Sequence, residues 1–145
     1  MGNRGNIVVR DEEGSIWFYT HWRGSDILDV AFKALSLKGR WEDASYLARI
    51  VFDTLTDGEK GGTAGFGISL SRGDNEHEVV VIDTTVKKVV VMPKDWEGRA
   101  NDREEPLFEA SFDDFIKVKV AAEANEYFSG SKPWPKLPPK AKSNG

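Results

Sequence analysis

The chain is predicted to be an α+β protein, with an antiparallel or mixed sheet of about five or six strands and three helices packed mainly on one face. Three features carry that expectation. Runs rich in β-branched and aromatic residues recur at 7–9, 16–20, 79–82 and 89–92. Two stretches between them repeat apolar residues at helical spacing, Ile27 to Leu35 and Ala44 to Leu55. The resulting order is ββ-αα-βββ(β)-α, which no simple alternating βαβ scheme produces.

The first two runs flank Asp11-Glu12-Glu13-Gly14, a turn in which Gly14 is expected to supply a positive φ, so residues 7–20 read as a hairpin. On its second strand Ile16, Phe18, Thr20 and Trp22 share one face, and Trp17, Tyr19 and His21 the other. Ser25 is expected to cap the first helix and Gly39 to close it. The second helix is expected from about Glu42 to Thr56, with Ala44, Leu47, Ala48, Val51 and Leu55 facing the core and Gly58 following.

From Thr63 to Ser71 the alternation is clean. Phe66, Ile68 and Leu70 are expected on one side of a strand, opposite Gly65, Gly67, Ser69 and Ser71. Arg72 to His77 reads as a polar hairpin loop leading to Val79–Ile82, and Thr84-Thr85 joins that run to Val89–Met92. Continuous valine runs predict strands covered on both faces. Residues 94–106 read as a charged loop without apolar period, and 106–110 as a further short strand. Ser111 is a cap candidate for a last helix whose stripe is Phe115, Ile116, Val120, Ala124 and Tyr127.

At 145 residues one domain is expected, spanning 1–130, followed by a basic, proline-rich tail, 131–145, expected to be disordered. The formal charge of −4 is uneven. Residues 129–145 hold four lysines and no acid, which leaves −8 on the rest of the chain. Between Lys94 and Asp114 eight acids face three bases. Such a body repels phosphate backbones, so nucleic-acid binding by the folded part is not expected. With no cysteine the chain has no thiolate chemistry, no disulfide framework and no cysteine–zinc site. Membrane insertion is not expected either, because no run of about 18 apolar residues occurs. A cytoplasmic setting fits these features.

Motifs of catalysis are sparse. There is no HExxH, no Walker loop and no glycine-flanked nucleophilic serine, and Gly65-x-Gly67 lies within a strand, so no cofactor or metal is expected. The densest group of reactive side chains is Tyr19-Thr20-His21-Trp22-Arg23-Gly24, at a strand-to-helix passage. Arg40-Trp41-Glu42-Asp43 and Arg49 add similar chemistry, and Asn75 and His77 complete the candidates. Histidine exchanges protons near neutral pH, arginine holds anions, and tryptophan stacks. The binding candidates are therefore His21, Trp22, Arg23, Arg40, Trp41, Asp43, Arg49, Asn75 and His77. The competing reading makes Trp22 and Trp41 core anchors with a solvated charged rim. A site built from His21, His77 and Asp83 has no metal-ligand spacing in its favour. Arg72-Gly73-Asp74 uses ordinary turn residues, and Pro135 to Lys140 fits a PxxPxK pattern that a soluble extended tail also explains.

The segments YTHWRG (19–24), RWEDASYLAR (40–49), GFGIS (65–69) and DNEH (74–77) together resemble a group of small uncharacterised proteins of bacteriophages and their bacterial hosts, over about residues 5–92. The resemblance implies a phage setting inside a bacterial host cell and carries over no catalytic residue. Three functions are then in play. The leading expectation is a non-catalytic binding protein, a phage accessory factor engaging a host protein. The second is a nucleotide-like anionic ligand site, or a hydrolase, using the His21/Arg23 region. The third is a structural or homo-oligomeric subunit with the valine-rich strands as its edge.

Overall fold

The computed structural model describes residues 2–57, 59, 62–99 and 104–117. Six strands form one mixed sheet: β1 (Gly5–Asp11), β2 (Gly14–Thr20), β3 (Phe66–Ser69), β4 (Val79–Asp83), β5 (Lys88–Met92) and β6 (Phe108–Ser111), in the order β3-β2-β1-β4-β5-β6. Only β1 and β4 pair in parallel; the other four pairings are antiparallel. Among the described residues three helices accompany the sheet, α1 (Ile27–Ser36), α2 (Ala44–Thr56) and the short α3 (Phe112–Phe115). This is the α+β arrangement expected.

Alternation along the strands separates two cores. On one face Ile7, Val9, Phe18, Val80, Ile82, Val89 and Val91 meet Ile27, Leu28, Ala31, Leu35, Leu47, Val51 and Leu55 of the helices. Every one of these is buried, and at about 25 cal/mol per Å² of apolar surface they are the main source of stability. On the helix-free face Val8, Trp17, Val79, Val81, Met92 and Trp96 form a smaller cluster. Its lid is Trp96, whose ring centroid lies 5.7 Å from that of Trp17. The valine strands are thus covered on both faces, the second cover coming from inside the segment read as a charged loop.

Several local expectations change. Gly14 is not at positive φ; it opens β2 opposite Asp11, and the turn is held by the Glu13 N–H donating to Asp11 Oδ1 at 2.8 Å. Ser25 does not cap α1, because its hydroxyl accepts from Asn3 Nδ2 and a 3₁₀ turn, Gly24–Asp26, leads into the helix instead. Past the end of α1 the left-handed residue is Lys38 (φ 57°), one place before Gly39. Helix α2 starts at Ala44, after Glu42, because Asp43 is its N-cap and accepts from the Tyr46 N–H. Its left-handed C-cap is Asp57 (φ 46°).

Larger differences concern topology. Arg72 to His77 is no hairpin loop. β3 and β4 lie three places apart in the sheet, so the connecting segment is a crossover, and it passes over Tyr19 on the helix-free face. The valine-rich β4 and β5 are interior strands and form no edge; β3 and β6 do. β3 is shorter than expected, and the core stops at Phe66: Ile68 is 61 % and Leu70 82 % exposed. Leu70, past the strand, lines a groove with Trp17, on the opposite face from Ile68. At the C-terminal end Ser111 does accept from the Asp114 N–H as a cap, but the helix closes at Phe115 with Ile116, expected within it, as C-cap. The expected helix beyond residue 117 and the tail lie outside the described residues.

Candidate functional site

The parallel β1–β4 pair decides where the candidate residues go. Chain direction brings the start of β1, the end of β2 and the start of β4 to one end of the sheet. There the segment Asn3–Gly5 is held between both histidines. The Asn3 N–H donates to the His21 carbonyl at 2.7 Å, and the Asn3 carbonyl accepts from the Gly24 N–H at 2.7 Å. Since the Asn3 carboxamide NH₂ donates to Ser25 Oγ, its oxygen faces His77, whose Nε2–H donates to it at 2.6 Å. His21 Nδ1 receives the Tyr19 hydroxyl at 3.1 Å and Arg4 Nε at 3.5 Å. Burial pushes the His77 imidazole below its ordinary 6.5, with Glu78 and Glu76 opposing and Lys94 assisting. Asp83 lies at the far end of β4 and pairs with Arg10 at 2.8 Å.

Asn6 organises the neighbouring crossover and was missed in the sequence. Fully buried, it donates from Nδ2 to the Asp74 carbonyl (3.0 Å) and Asn75 Oδ1 (3.1 Å) and accepts the Gly73 N–H (3.0 Å). Its signal was an amide within an apolar strand, where burial demands partners. Asn75 in turn donates to the carbonyls of His77 and Lys94. This end of the sheet is a satisfied polar knot. Among the described residues no group of three or more His, Asp or Glu side chains is placed to hold a metal ion.

The remaining candidates are dispersed by their helix. Arg23 reaches the end of α2, donating from one guanidinium nitrogen to the carbonyls of Leu55 (2.7 Å) and Thr54 (3.1 Å), with Asp26 at 3.5 Å. It satisfies carbonyls that a helix terminus leaves open. At the other end of α2, Trp41 donates to the Leu35 carbonyl at 3.1 Å and packs edge-on against Phe112. Asp43 is held below the usual carboxylate range by the Ser45 hydroxyl and the Tyr46 N–H. Arg40 stacks over the Tyr46 ring at 4.1 Å, and the exposed Arg49 pairs with Asp53 at 2.6 Å.

Among the described tryptophans Trp22 alone stands half exposed (51 %). Its ring lies edge-on to Phe66, 5.8 Å between centroids, and rests on Gly65 (φ 96°), where any Cβ would collide with the indole. Together Trp22, Phe66 and Phe52 line a groove of about 500 Å³ between β3 and the C-terminal half of α2, closed by Asp53, Thr56 and Glu59. An adjoining hollow continues past Arg23 and Asp57. Asp53 is engaged by Arg49, while Asp57 and Glu59 place two carboxylates at the mouth. Aromatic walls beside carboxylates suit an apolar anchor followed by a cation. Comparison with protein-family models, with curated proteins and with solved structures yields no match for this chain.

Proposed function

We propose that the chain is a non-catalytic protein-binding module whose Trp22 groove takes a short partner segment with an aromatic or aliphatic anchor and adjacent lysine or arginine. A phage accessory role toward a host protein, implied by the sequence resemblance, is compatible with this chemistry. The observation that carries the reading is the half-exposed Trp22, propped on Gly65 and Phe66 rather than sunk into the core. Holding a large aromatic partly in water forgoes burial energy, and such residues are enriched where a partner completes the burial. Charge supports the basic class of partner, since Asp57 and Glu59 flank the mouth.

Selection from a random displayed peptide library, with the Trp22→Ala protein as counter-selection, tests it. Enriched peptides should combine an apolar anchor with basic neighbours, and their binding should fall by at least about tenfold on Trp22→Ala, as for an interface hot spot. Peptides that bind both proteins equally, or no enrichment at all, would sink the proposal. The ligand or hydrolase alternative lacks a comparable observation, because Arg23 and Arg49 already hold α2 carbonyls and Asp53.

A further inference from the structure

The edge of β3, unpaired among the described residues, points to a second function that adjoins the groove through Phe66. The His21 N–H donates to the Gly65 carbonyl at 2.8 Å, in line with the β2–β3 register. Hydrogen-bonded and non-bonded pairs alternate along an antiparallel ladder. Gly65, Gly67 and Ser69 therefore turn their main-chain groups toward β2, while Phe66 and Ile68 turn theirs outward. Among the described residues nothing pairs with that side.

Sheet edges are normally guarded by charge, proline or a bulge. β6 carries Glu109, tied to Lys88 at 3.0 Å. β3 is Phe-Gly-Ile-Ser, without charge or proline, and its Ile68 is largely in water. We infer that β3 is a homodimer edge, pairing antiparallel with β3 of a second copy about a two-fold axis at Gly67 and joining two sheets into one.

Self-complementarity selects this occupant and this register. With Gly67 opposite Gly67 of the partner, Phe66 faces the partner's Ile68 and Ile68 the partner's Phe66. Those are the two residues whose main-chain groups point outward, so both pairs form complete hydrogen-bonded rings. On the helix side each pair sets an aromatic ring against a β-branched chain, a favourable cross-strand combination. No ionisable side chain of β3 meets its own copy.

The chain lacks cysteine, so a single introduced thiol reports the register. Among the described residues a Cβ at Gly67 has only Tyr19 Cβ near it, at 3.9 Å, so the described fold accommodates Gly67→Cys. Non-hydrogen-bonded antiparallel pairs bring Cα atoms to about 4.5 Å, within disulfide reach. Mild oxidation should crosslink Gly67→Cys into covalent dimers, and Ser69→Cys, displaced from the axis, should crosslink far less. Sedimentation of the unmodified chain from micromolar to near-millimolar concentration should show a mass rising to twice the monomer. Ile68→Lys, with its circular dichroism unchanged, should hold the monomer. A single monomeric mass throughout, or equal crosslinking at 67 and 69, would overturn the inference. Peptide binding at Trp22 can fail without affecting these readouts.

Discussion

Trp22 and Gly65 are matched as ring and platform: the indole lies where a side chain on Gly65 would be, and the φ of 96° at Gly65 keeps the backbone clear. Gly65→Ala should therefore move Trp22 before it affects the core. The expected outcome is a shifted Trp22 indole N–H resonance in a two-dimensional NMR spectrum, with the other tryptophan signals in place. The variant should also lose some stability, about 1 kcal/mol or more, from forcing a β-carbon into a left-handed position.

Arg23 is a brace for α2 in this fold, despite its place in the most reactive-looking motif. Arg23→Met should expose the Thr54 and Leu55 carbonyls to loss of their charged donor and lower the unfolding free energy by about 1–3 kcal/mol. Urea unfolding followed by circular dichroism measures it. An unchanged midpoint would return Arg23 to the list of free binding groups.

Trp96 covers the helix-free face. Trp96→Ala should open the cluster of Val8, Val79, Val81 and Met92 to water and cost about 3 kcal/mol or more, within the range for truncating a buried aromatic. Calorimetric melting of the variant provides the check. A loss below about 1 kcal/mol would mean the second core adds little to stability.

His77 makes stability depend on pH in a defined direction. Its imidazole is held below the ordinary 6.5, so the unfolded chain binds the proton more readily than the folded one. The stabilising contribution is complete above the ordinary 6.5 and is lost progressively as pH falls below it. Unfolding free energies should decline with this acidification, and His77→Gln should flatten the decline. A slope identical in both proteins would remove His77 as its source.

Local chemistry determined much of this protein. Alternation placed Ile16 and Phe18 on the opposite face from Trp17, helical spacing found Leu47, Val51 and Leu55, and the Ser111 cap was legible in residue type alone, because each depends only on neighbours a few positions away. Glycine was a poorer guide. Lys38 and Asp57, both exposed, take the left-handed positions expected of Gly39 and Gly58.

Only the tertiary structure decided which candidates meet. The nine binding candidates were chosen by side-chain chemistry, which does not encode whether a group is already satisfied. The parallel β1–β4 pair brought His21 and His77 to either side of Asn3, whereas α2 carried Arg49 and Asp43 elsewhere and engaged Arg23 as a brace. Strand order turned the valine runs into interior strands and left the uncharged β3 as an edge. These outcomes rest on contacts between residues tens of positions apart, fixed by how the sheet closes its hydrogen bonds rather than by any local pattern.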